Sequence, residues 1–130
     1  MDNRLFFSAT HRNRDYIGNV LAKIVKKGSI LEIGSGSGEH AVVFQKRFPE
    51  IIWQTSDPEL VHRKSISSWI KYEKLSEKMP QPIGLDIERI PWNVPTDLIN
   101  SLQGVVSINV IHVAPWITCL LYTSPSPRDD

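Results

Sequence analysis

The chain has 130 residues, with 15 basic and 14 acidic side chains and a formal net charge of +1. So even a balance excludes the broad electrostatic footprint of a nucleic-acid or anionic-membrane binder, and 41% hydrophobic with 22% charged residues excludes a disordered chain. The lone Cys119 excludes a disulfide framework and a cysteine-built zinc site, the N-terminus reads as neither signal peptide nor span, and a reducing, cytoplasmic setting is expected.

In chain order, Asp15–Lys27 predicts an amphipathic helix. Ile17, Val20, Leu21, Ile24 and Val25 recur at i, i+3, i+4, i+7 and i+8 and share one face. Gly28 stands where a C-terminal cap belongs, and Lys23, Lys26 and Lys27 fit a solvated helix end. Ser29–Ile33 is a short continuous apolar run, the pattern of a strand buried on both faces. Gly38–Phe48 predicts a second helix, with Ala41, Phe44, Gln45 and Phe48 on one stripe and Pro49 just beyond.

Ile51–Ser56 is the next strand. Asp57-Pro58 opens a third helix, with Asp at the N-cap and Pro at the first helical position, running to about Ser76 and carrying Val61, Ile66, Trp69 and Ile70. Pro82–Ile87 predicts a third strand, Thr96–Leu102 a short helix, and Gly104–His112 a fourth strand rich in β-branched residues. Strands alternating with helices imply an α/β fold: a parallel sheet with right-handed crossovers and helices on both faces.

Three glycines, Gly34, Gly36 and Gly38, follow the first strand within five residues. In an open α/β sheet ligands bind at the carboxyl ends of the strands. Glycines there permit positive φ and let a ligand approach the backbone, and the next helix aims its free N–H groups at the same place. The same residues also suit a plain tight turn. A nicotinamide dinucleotide site wants G-x-G-x-x-G, but the third small position is Glu39 here. A phosphate-binding P-loop fails, since no Gly-Lys-Ser/Thr follows. Glu32, two residues before Gly34, can meet a positively charged amino group, which S-adenosylmethionine (SAM) carries.

The run E-I-G-S-G-S-G, Glu32 to Gly38, resembles motif I of the class I SAM-dependent methyltransferases, and Ser35 falls within it. That resemblance implies a Rossmann-like class I fold, incomplete here, with about four strands in the order 3-2-1-4. It implies a ribose contact for Asp57, an adenine contact for Asp86, and a place beside the transferred methyl group for Asn109. The blocks HRNRDYI, WQTSDPE, LDIERIPW and INVIHVAPW narrow the resemblance to the methyltransferase-like protein 26 type, domain of unknown function 938. In that family the HRNRD block closes over the cofactor, with Arg14 able to pair with the methionine carboxylate.

His112 is the catalytic candidate, because an imidazole titrating near neutrality can take the proton of an attacking nucleophile. A structural histidine near Pro115 and Trp116 is the alternative. Asp57 also suits a helix cap and Asp86 a turn. His40 reads as structural, His11 and His62 show no constellation, and no spacing suggests a metal site. Residues 1–116 read as the SAM-binding part of a methyltransferase domain. Residues 117–130 read as a non-native or disordered tail, so that the domain is C-terminally truncated and the fourth strand becomes an apolar edge open to self-association. The expected activity is methyl transfer from SAM to a small-molecule or protein acceptor. The other readings are a non-catalytic SAM-binding or interaction module and, further off, a nicotinamide-dependent oxidoreductase.

Overall fold

Ser29 to Ile33 are all buried, the acidic Glu32 among them. They belong to β1 (Gly28–Ile33), the centre of a computed structural model that describes residues 2–6, 14–89, 91–107 and 112–115. β1 pairs in parallel with β2 (Ile51–Gln54) on one side and β3 (Leu102–Ser107) on the other. The intervening segments are helical. α1 (Arg14–Ile24) precedes β1, α2 (Glu39–Arg47) joins β1 to β2, and α3 (Leu60–Tyr72) and α4 (Thr96–Ser101) lie between β2 and β3. β4 (His112–Pro115) runs antiparallel to β3, giving the order β2-β1-β3-β4.

The alternation of β1 side chains separates two apolar layers. Ile30 joins Ile17 and Leu21 of α1, Phe44 of α2, and Ile66 and Ile70 of α3. Leu31 and Ile33 point the other way, against Leu85, Leu98 of α4, Leu102 and Val105. Helices therefore cover both faces, and the fold is Rossmann-like. Phe44 and Trp53 meet with ring centroids 5.1 Å apart; a fully buried side chain such as Phe contributes roughly 1.5–3 kcal/mol. Gln45, on the apolar stripe of α2, is buried but satisfied: its amide donates to the Ile51 carbonyl at 2.6 Å and accepts the Trp53 N–H at 2.9 Å.

α1 stops at Ile24, short of the predicted Lys27, so Gly28 is not its cap: with φ +99° it opens β1 instead. Gly38 (φ +92°) and Phe48 flank α2 as its caps. α3 is shorter than its periodicity suggests. It starts at Leu60 behind Glu59, so Asp57 is not its N-cap, and it stops before Lys74, whose φ of +60° goes with a bond from Leu75 N to Ile70 O at 2.9 Å.

Two strands differ from the sequence expectation. Pro82–Ile87 contributes a single parallel bridge, Ile83 to Ser56, held by Ile83 N to Thr55 O (3.2 Å) and Asp57 N to Ile83 O (3.1 Å). Upstream, the Gln81 carbonyl accepts the Gln54 side-chain amide at 2.9 Å. That bridge still lies beyond β2, preserving the predicted lateral order. Gly104–His112 is not one strand: β3 ends at Ser107 and the chain reverses, so that His112 pairs with Ser107 and Pro115 with Gly104. The edge expected of the fourth strand is thus covered by β4 from Gly104 to Ser107.

Candidate functional site

The turn from Gly34 to Gly38 leaves the carboxyl end of β1 and enters α2. Gly34 and Gly36 have φ of +62° and +60°, and with Gly38 all three lie in the left-handed region that L side chains rarely enter. Gly38 has a packing reason as well. A Cβ there would lie 2.9 Å from the Ile66 Cα of α3, so the turn sits directly against that helix.

The turn is tied to the end of β2. Ser35 N donates to the Ser56 carbonyl at 2.8 Å, and Ser35 Oγ accepts the Ser56 N–H at 3.1 Å. Ser56 Oγ donates to the Glu32 carbonyl at 2.5 Å. Both Ser35 groups are therefore engaged within the protein. Gly36 N donates to Asp57 Oδ2 at 2.9 Å, while Asp57 Oδ1 accepts the Glu59 N–H at 2.9 Å and lies 3.0 Å from His62 Nδ1. His62, for which the sequence shows no constellation, thus has one with Asp57. Its signal is faint, a histidine five residues past an acid that lies outside α3.

Glu32 lies beneath the turn, 1% exposed, and its Oε1 accepts the Trp53 indole N–H at 3.0 Å. Burial raises its pKa to about 7, the nearby Asp57 charge adds to the rise, and the hydrogen bonds from Trp53 and Ser35 oppose it. Trp53, fully buried, thus belongs both to the core and to the surroundings of Glu32.

Asp86 follows the Ile83 bridge. Its Oδ1 accepts the Glu88 N–H at 3.0 Å, and it lines a cleft of about 610 Å³ together with Pro58, Glu59, Leu85 and Trp92. The cleft thus joins the residue after Asp57 to the residues around Asp86. Arg14, the first residue of α1, reaches Glu39 at the start of α2, Nη2 to Oε2 at 3.7 Å. Its Nε is buried and has no hydrogen-bond partner among the described residues. His112 is brought to the same end of the sheet by its backbone: it pairs with Ser107, which pairs with Ile33. Asn109 lies outside the described residues, as do residues 117–130. Among the described residues no cluster of acidic, His or Cys side chains could hold a metal ion, and no helix is long and apolar enough to cross a membrane.

A family model described as a protein of unknown function, DUF938, matches residues 4–125. The chain belongs to the DUF938 family. This DUF938 chain is similar in fold to a candidate SAM-dependent methyltransferase from Methanococcus maripaludis, with 18% identity and TM-score 0.61 over 75% of this chain and 42% of that one. It resembles the YcgJ protein of Bacillus subtilis at 19% identity and TM-score 0.56, covering 75% of this chain and 37% of that one. The sugar N-methyltransferase KedS8 from a Streptoalloteichus species shares 14% identity at TM-score 0.50, over 81% and 40% of the respective chains. At such identities the likeness is one of fold. The chain spans about two-fifths of the length of these solved structures.

Proposed function

We propose that this DUF938 chain binds SAM across the glycine turn and the Asp86 cleft, and that it forms part of an enzyme transferring the methyl group to a small-molecule or protein acceptor. The observation that carries the reading is the turn itself: three left-handed glycines at the carboxyl end of β1, with the Gly36 amide fastened to Asp57. A carboxylate held there suits ribose hydroxyls, and the cleft between Pro58 and Asp86 suits the adenine beyond them. The buried Nε of Arg14 is a donor suited to a carboxylate, and Glu32 supplies negative potential from below the turn. Within DUF938, the blocks quoted above keep the methyltransferase-like protein 26 type as the finer placement.

The sulfonium of SAM supplies an activated methyl group, so positioning is the main task of the protein. The acceptor nucleophile forms its bond to the methyl carbon as the carbon–sulfur bond breaks and its electron pair stays on sulfur. In this reading His112 receives the acceptor proton and Asn109 borders the transferred methyl group. The lone cysteine keeps a reducing compartment in the proposal, and any self-association through the sheet edge involves β4 rather than β3.

Calorimetric titration of the 130-residue chain with SAM, S-adenosylhomocysteine (SAH) and NAD tests the binding. SAM and SAH should bind and NAD should not, and Gly36→Val should abolish binding. Unchanged SAM affinity in that variant, or tighter binding of NAD than SAM, overturns the assignment. Methyl transfer is measured separately; binding without turnover favours the non-catalytic module.

A further inference from the structure

Residues 2–6 lie along α3 and are fastened to it at successive positions. Asn3 N donates to Ser68 Oγ at 3.0 Å and Leu5 N to Ser65 Oγ at 2.8 Å, while the Trp69 indole N–H donates to the Leu5 carbonyl at 3.0 Å. The Arg4 guanidinium lies 3.6 Å from the Tyr72 ring centroid and 5.0 Å from that of Trp69, and the Phe6 ring meets Trp69 edge-on at 5.2 Å. The Asp2 carboxylate grips the same guanidinium through Nε and Nη2. A cation held against aromatic faces and a carboxylate makes a firm clasp.

The clasp does not end at α3. Ser65 is fully buried, and the hydroxyl that accepts the Leu5 N–H also donates to the Ser37 carbonyl at 2.6 Å, inside the glycine turn. The adjoining residue, Ile66, is the one that leaves no room for a Cβ on Gly38. α3 therefore touches the N-terminal segment and the turn through neighbouring side chains, and one hydroxyl serves both. An O–H that accepts a hydrogen bond is polarised to donate more strongly, so the two bonds reinforce each other.

We infer that Ser65 is a positioning residue that couples the docking of residues 2–6 to the shape of the glycine turn, and through it to the affinity for the cofactor. The last clause rests on the SAM reading above; the coupling itself does not.

The test uses the full chain with Arg4→Ala, Ser65→Ala and the double variant. Amide hydrogen exchange is followed without ligand at Ser35, Gly36, Gly38 and Glu39, whose N–H groups are all hydrogen-bonded. SAH affinity is measured alongside by calorimetry. Arg4→Ala should lower protection of the turn amides, and SAH affinity with it, on the order of fivefold, the value of one hydrogen bond. Protection of the β1 amides should stay unchanged. Ser65→Ala should do at least as much, and Arg4→Ala should add nothing in the Ser65→Ala background. Turn protection unaffected by Arg4→Ala, a uniform loss that includes β1, or strictly additive effects would each overturn the coupling. Should Ser65→Ala not fold, Phe6→Ala, on the exposed side of the clasp, repeats the Arg4→Ala comparison. Absent SAH binding in the unmodified chain sinks the cofactor reading alone, because the exchange data still decide the coupling.

Discussion

Gly36 N donates to Asp57 Oδ2 at 2.9 Å, joining the turn after β1 to the loop between β2 and α3. The carboxylate proposed to hold the ribose is therefore also what holds the turn in shape. This double duty changes what a substitution at Asp57 should do.

Asp57→Asn removes the charge and leaves a single acceptor oxygen for the Gly36 N–H, the Glu59 N–H and His62. Hydrogen bonds to a charged group contribute about 1.5–3 kcal/mol each, so SAH affinity should fall on the order of tenfold or more. The unliganded chain should also melt a few degrees lower, because the turn loses its anchor. Calorimetry and a thermal melt on the same sample check both parts. An unaltered melting temperature would mean that Asp57 does not restrain the turn.

Gly38→Ala places a Cβ at φ +92° and 2.9 Å from the Ile66 backbone. The neighbouring atom belongs to the α3 main chain, so relief requires the helix to move. The expected loss is about 2–4 kcal/mol, combining backbone strain with overpacking. Denaturant unfolding measures it, and a loss well below 1 kcal/mol would show that α3 yields easily.

The Glu32 carboxyl has a folded pKa of about 7 against an ordinary value of 4.5. Between those values the folded chain keeps a proton that the unfolded chain releases, so stability falls as pH rises from 4.5 through 7. The full difference is on the order of 3 kcal/mol and is reached above pH 7. Glu32→Gln stays neutral and can still accept the Trp53 indole N–H. It should match the unmodified chain near pH 4, exceed it in stability at pH 8, and remove that part of the slope. Melting curves across this range decide it. A difference independent of pH would mean that Glu32 does not titrate there.

A cation above the turn favours the ionised form of the same carboxyl. SAM binding near pH 6 should therefore release a proton from the unmodified chain and not from Glu32→Gln. Calorimetry in two buffers of different ionisation enthalpy reads this directly. Equal proton release in both chains would place the linkage elsewhere.

The linear sequence determined what depends on neighbours a few residues away. Both ends of α2 follow from periodicity and from where positive φ is needed, and the order β1-α2-β2-α3 follows from the alternation of apolar runs. The glycine turn was legible for the same reason. What closes the site was not. Trp53 on Glu32, His62 on Asp57 and Ser65 on Ser37 are polar matches made only when β1, β2 and α3 come together. The reversal between β3 and β4, hidden inside one β-branched run, likewise depends on which strand edge is free. Apolar periodicity says which face turns inward, but a buried polar group must be satisfied by whatever donor the packed elements bring within reach. That choice belongs to the tertiary structure.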